Sequence, residues 1–131
     1  MIEGGLVAML LADTEMKAQV AGRVYHIKAP QNPTLPYLTV LRVSGERDID
    51  FDGPDALIRS RVQIDAWAGD PKAARDLADL LRRELNDYRG PAGRNGDIIH
   101  FMTLITDEDL YEDDPKLFRI SQDWYIHCEE V

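Results

Sequence analysis

The stretch Ile58-Arg59-Ser60-Arg61-Val62-Gln63-Ile64-Asp65-Ala66-Trp67 alternates apolar and polar residues over ten positions. Successive side chains leave a pleated backbone on opposite faces, so this pattern specifies a half-buried strand with one face in a core and one in water. Pro36-Tyr37-Leu38-Thr39-Val40-Leu41-Arg42-Val43 supplies a second strand ahead of it. The rest of the chain has to cover the apolar face of this pair or widen the sheet.

At 131 residues with 44% hydrophobic content, the chain is long enough for one core and short for two. The expected organisation is one domain over residues 1–131. A net charge of -9 repels nucleic acid backbones unless cations gather on one face. They do not gather in the sequence, where Arg59, Arg61, Arg75, Arg82, Arg83 and Arg119 are interspersed with acids. The single cysteine, Cys128, excludes an internal disulfide and fits a reducing cytoplasm. Met1-Ile2-Glu3-Gly4-Gly5 has no basic lead into an apolar run, and Glu15 and Lys17 interrupt the apolar stretch soon after Leu11. Neither a signal peptide nor a membrane span is expected.

Ile2, Leu6, Met9 and Leu10 recur at helical spacing, with Gly4 and Gly5 weakening the first turn. Asp13 is placed to cap a second brief helical turn carrying Met16 and Val20, and Gly22 to stop it. Arg23 to Tyr25 reads as a short strand, and Pro30, Pro33 and Pro36 make an extended connector. Between the two organising strands, Ile49 and Phe51 continue the alternation, so a long arm is expected that turns at Gly53-Pro54. Its Asp48, Asp50, Asp52 and Asp55 suit either a solvated loop or a contact arm for a neighbouring subunit.

Asp70-Pro71 opens the clearest helix, expected over about 71–89, with Ala74, Leu77, Ala78, Leu81, Leu85 and Tyr88 on one stripe and Gly90-Pro91 as its stop. Ile98 to Thr106 is apolar on both faces and reads as a central strand. Phe118 to Cys128 alternates as a last half-buried strand, and the acidic run Asp107 to Pro115 is expected to connect the two. The expected fold is α+β: an antiparallel or mixed sheet of four or five strands, with an N-terminal helix and one long helix on one face.

Motifs for chemistry are weak. Asp107, Glu108, Asp109, Glu112, Asp113 and Asp114 could hold a divalent cation, but they lack the calcium-loop glycine and the glutamate at the twelfth place. His26, His100 and His127 lie on three separate elements. His127 and Cys128, as neighbours in a strand, point to opposite faces and cannot share a proton. The glycine pairs lack a following lysine and a strand-to-helix setting, so no phosphate cradle is expected. Trp67 falls on the polar face and suits either an interface or the core.

Taken in order, Arg23-Val24-Tyr25, Ala29-Pro30-Gln31, Leu35-Pro36-Tyr37, Arg42-Val43-Ser44-Gly45-Glu46-Arg47, Gly53-Pro54, Arg61 to Ala68, Leu110-Tyr111-Glu112-Asp113-Asp114 and Phe118 to Trp124 form a connected pattern. Together they resemble the tail-completion family, the tail-to-head joining or tail-terminator proteins of tailed bacteriophages, prophages and gene transfer agents. The resemblance spans nearly the whole chain. It implies a structural part without enzymatic activity or cofactor: a ring, typically of six subunits, that caps the tail tube.

The partners so implied are further copies of the chain, the major tail tube protein and a head-completion or stopper protein, with DNA only as passing cargo. The implied location is the host bacterial cytoplasm during assembly and the particle neck afterwards. Candidate interface residues are Asp48, Asp50, Phe51, Asp52, Arg59, Arg61, Asp65, Trp67, Tyr111, Glu112 and Asp113. Two other readings stay open: a small metal-dependent hydrolase or nuclease using the cluster 107–114, and a toxin-partner or regulatory module, which a basic patch would favour.

Overall fold

A computed structural model describes residues 2–50, 53–93, 97–112 and 117–129, with the side chains of 47–50, 53–57 and 112 left undescribed. Among the described residues three helices, α1 (Ile2–Ala12), α2 (Thr14–Val20) and α3 (Pro71–Leu85), accompany six strands. The strands are β1 (Val24–His26), β2 (Tyr37–Asp50), β3 (Gly53–Ala68), β4 (Gly90–Pro91), β5 (Ile98–Glu112) and β6 (Leu117–Glu129). They form one mixed sheet in the order β1-β2-β3-β6-β5-β4. The class is α+β as expected, with six strands in place of four or five and three helices in place of two.

The alternation of β3 sets the architecture. Val62, Ile64, Ala66 and Ala68 are buried against the helices, while Arg61, Gln63 and Trp67 lie on the other face. β6 repeats the pattern with Ile120, Gln122, Trp124, Ile126 and Cys128 inward. The two strands pair antiparallel from Leu57↔Glu129 to Ala68↔Phe118, so their inward rows coincide. Leu77, Ala78, Leu80, Leu81 and Leu85 of α3 close this core together with Leu6 and Leu10 of α1. Each leucine so removed from water contributes about 1.5 to 3 kcal/mol.

Gly5 has a packing reason that outweighs its poor helix propensity. A Cβ built there would lie 2.6 Å from the Ala92 carbonyl oxygen, so only glycine lets α1 approach the segment after β4. At the end of α2, Ala21 takes the left-handed C-cap with φ 48°, and Gly22 follows with φ 82°. The stop therefore falls one residue before the expected glycine. Asp13 caps α2 as expected, accepting from the Met16 N–H at 2.9 Å.

Several expectations are corrected. α3 ends at Leu85, short of residue 89, because Asn86 turns extended and Asp87 takes φ 64°. Both residues instead bond β5: Asn86 Oδ1 accepts from the Leu104 N–H at 3.1 Å, and the Asp87 N–H donates to the Met102 carbonyl at 2.9 Å. Gly90-Pro91 is no helix stop but a two-residue strand paired with Ile98 and Ile99. The short strand after α2 is β1, shifted one residue to Val24–His26 and parallel to β2.

The acidic run after Thr106 is strand, not connector, as far as Glu112. β6 holds it residue by residue, from Thr106↔Asp123 to Glu112↔Leu117. β5 is not central: β3 and β6 occupy the middle, and β4 covers only its first two residues. The long arm exists, with β2 and β3 paired out to Asp50↔Gly53. Gly53 and Pro54 open β3, so the reversal precedes them; the joining Phe51 and Asp52 lie outside the described residues.

Candidate assembly interface

The helices cover one face of the sheet. On the other face the register of β2, β3, β6 and β5 builds a four-strand surface, row by row. One row runs Tyr37, Trp67, Arg119, Leu110; the next Thr39, Asp65, Ser121, Glu108; the next Leu41, Gln63, Asp123, Thr106. Beyond a bulge in β2 come Ser44, Arg61, Tyr125, Thr103 and then Glu46, Arg59, His127, Phe101.

Four of the expected interface residues therefore share this open face: Arg59, Arg61, Asp65 and Trp67. Arg61 Nη2 donates to Asp123 Oδ2 at 3.1 Å, and Arg59 faces Glu46 at 3.5 Å. These are partly exposed pairs, worth about 0 to 1 kcal/mol each. They order the side chains more than they stabilise the fold.

Trp67 is half-buried on this face, outside the helix-covered core. Its ring stacks on Tyr37 with centroids 5.6 Å apart and planes at 13°, and the Arg119 guanidinium carbon lies 4.9 Å from its centroid. Its indole N–H donates to Thr39 Oγ1 at 3.0 Å. The ring is thus held in one orientation on three sides while still reached by solvent.

Asp65 lies beneath the connector that carries the prolines, in a groove bordered by Ile27, Pro33, Trp67 and Leu117. It is only 4% exposed. Burial raises its pKa above the ordinary 3.8, opposed by hydrogen bonds from Ser121 and Gln63 and by the charge of Arg119. Gln63 Nε2 reaches its two oxygens at 3.1 and 3.0 Å, and Arg119 Nη1 lies 3.5 Å away. It reads as an internal brace for the Trp67 and Arg119 pair.

Tyr111 is not on the open face. It pairs with Phe118, ring centroids 4.8 Å apart, on the helix-covered side near the start of α3. Asp48 and Asp50 lie on the arm in β2, Glu112 ends β5, and their side chains are undescribed. Phe51, Asp52 and Asp113 lie outside the described residues. Sequence reasoning left out Leu41, Phe101, Leu110 and Arg119, which complete the surface, and the buried Tyr37, which backs Trp67. Phe101 had a signal in the apolar character of both faces over Ile98 to Thr106, whereas Leu110 fell in the acidic run expected to be a connector.

The acidic cluster is divided by the pleat. Asp107 and Asp109 point to the helix side, where Arg75 holds them at 3.2 and 2.6 Å, while Glu108 belongs to the opposite face. Among the described residues no three His, Cys, Asp or Glu side chains converge as a metal-binding set. No helix among them is long and apolar enough to cross a membrane.

A family model described as tail completion protein gp17 matches residues 4–127. The chain belongs to this tail-completion family. Its fold is similar to that of a chain in the virion of a native gene transfer agent particle, with a TM-score of 0.71 and 17% sequence identity over 95% of this chain and 92% of that one. No curated protein matches the chain. The family match takes in the helical layer, the open face and the arm.

Proposed function

We propose that this tail-completion family member is a structural, non-enzymatic part of a phage-like particle, acting as one subunit of a ring, six copies in the assembled particle. The ring caps the tail tube and joins it to the head-side connector. Its partners are its own copies, the tail tube protein and a head-completion or stopper protein, and DNA passes through without being read. It is made in the host bacterial cytoplasm and resides in the particle neck.

The observation that carries this reading is the open sheet face. A sheet with helices on one side and Trp67, Leu41, Phe101 and Leu110 reached by solvent on the other presents the mix of apolar anchors and ordered charges that protein partners bury. Family membership supports the same conclusion. The split of the acidic cluster by the pleat weighs against a metal-dependent hydrolase, since Asp107 and Asp109 serve Arg75.

The test is the mass of the full-length protein across concentration, alone and with purified tail tubes, followed by electron microscopy of the tube ends. A six-fold ring at one end of the tube is expected. A chain that stays monomeric in both settings would refute the reading.

A further inference from the structure

The sheet leaves long parts of its two outer strands unpaired on one side. β1 covers β2 only at residues 38–40, and the Ile27 N–H ends that contact on the Val40 carbonyl at 2.8 Å. On the opposite side β4 covers Ile98 and Ile99 of β5, Asn86 accepts the Leu104 N–H, and the Asp87 N–H donates to the Met102 carbonyl. Among the described residues no backbone pairs with the outer edge of β2 over 41–50, or with that of β5 over 105–112. A bare row of N–H and C=O groups is a template for a further strand.

The side chains mark the same two stretches. Apart from Ile27 and Phe101, every large apolar side chain exposed among the described residues lies on them: Leu41 and Val43 on β2, and Ile105, Leu110 and Tyr111 on β5. Val43 and Ile105 fall at register shifts, without a partner across the sheet, and are 49% and 47% exposed. An edge that stays in water is better kept short or charged than lined with such residues.

The two edges suit each other in direction, place and charge. Three successive antiparallel pairings separate β2 from β5, so the two strands run in opposite senses. A copy turned about an axis along the strands therefore brings its β2 antiparallel to the β5 of its neighbour, with the helices of both on one side. The row Leu41, Gln63, Asp123, Thr106 crosses the sheet; from it the bare part of β2 runs towards the arm, and that of β5 runs the other way. Pairing them sets the next copy back by about five residues, about 17 Å at roughly 3.3 Å per residue, and a stagger of this kind is what closing a sheet requires. Asp107, Glu108 and Asp109 make two copies of β5 poor partners for one another, whereas β2 over 41–46 carries one cation and one anion, Arg42 and Glu46.

We infer that β2 of one copy adds as a strand to β5 of the next, through residues 41–46 and 106–111, and so joins neighbouring subunits into one continuous sheet. The inference rests on the ring reading and names the edges that meet. Such a contact is heterologous, one edge against a different edge, so it propagates head to tail and closes into a ring when the rotation permits.

The experiment uses the full chain assembled on purified tail tubes. Ser44→Cys, on the open face of β2, is combined in turn with Thr106→Cys, Glu108→Cys and Leu110→Cys, three positions on the same face of β5. After oxidation, one of the three combinations is expected to give a ladder of covalent oligomers on a non-reducing gel, and each single variant only monomer. Val43→Lys and Ile105→Lys should each lower ring occupancy in micrographs at least tenfold, with the melting temperature of the wild type. Rings in which none of the three combinations cross-links, or which form normally with both lysine variants, would overturn the edge pairing and leave the ring reading standing. Dimers from Ser44→Cys alone would overturn it too, because β2 would then pair with itself. A wild-type chain that forms no ring on tubes would overturn both.

Discussion

The indole N–H of Trp124 donates to Gln122 Oε1 at 3.2 Å in the interior of the molecule, two residues along the same strand. The amide of Gln122 in turn donates to the Ala78 carbonyl of α3 at 2.9 Å. Both β6 side chains are fully buried, so this short polar chain ties α3 to the sheet from within the core.

Gln122→Leu should therefore destabilise the fold by about 1 to 3 kcal/mol, since the Trp124 N–H is left buried without its acceptor. Chemical denaturation measures the loss. In a double-mutant cycle with Trp124→Phe, the pair should cost less than the sum of the single changes. Additive costs would show that the two residues act independently.

How far such features were legible in the sequence depended on whether their cause was local. The alternation of β3 and the Asp70-Pro71 start of α3 were readable because pleat period and cap chemistry act over a few residues. The strand character of Asp107 to Glu112 was not. Its charges favour a loop in isolation, and it becomes strand because β6 pairs with it and Arg75 from a distant helix meets Asp107 and Asp109. The end of α3 was misplaced for a similar reason, since Asn86 and Asp87 leave the helix to bond β5. On the open sheet face, Arg59, Arg61, Asp65 and Trp67 came together by period alone. Arg119 joined them only through the β3 and β6 register.

Asp65 predicts a pH dependence whose sign is opposite to that of most carboxylates. Its pKa is raised on folding, chiefly by burial, so the folded state holds the proton more tightly than the unfolded chain. Its contribution to stability must then fall as pH rises from about 3.8 through the folded value, and stay constant above it. Asp65→Asn removes that component. The stability of the variant minus that of the wild type should climb with pH across the window and then level off. A difference that falls with pH would mean that attraction to Arg119 outweighs burial.

Trp67→Ala should separate folding from assembly. The ring stacks on Tyr37 and under Arg119 on the open face, outside the helix-covered core, so its removal should cost about 1 to 2 kcal/mol of stability. The isolated domain should stay folded by circular dichroism at 25 °C. Tails assembled with the variant should lose head attachment, scored as free heads and tails in micrographs. Unfolding of the variant would instead make Trp67 a core residue, and normal attachment would remove it from the interface.

Divalent metal should leave the protein unmoved, and the reason is the engagement of Arg75. Its guanidinium reaches Asp107 at 3.2 Å and Asp109 at 2.6 Å, and Asp79 lies at 3.8 Å. A cation entering there would have to displace a positive group already in place. A specific site at a hundredfold excess over its Kd would add about 2.7 kcal/mol, a rise in melting temperature that is easily measured. With EDTA, magnesium or calcium the melting temperature should stay constant. Arg75→Ala should cost less than about 1 kcal/mol, because these pairs are largely exposed, and the cost should shrink in high salt. A calcium-dependent rise that disappears in Asp109→Asn would instead identify the acidic strand as a metal site and revive the hydrolase alternative.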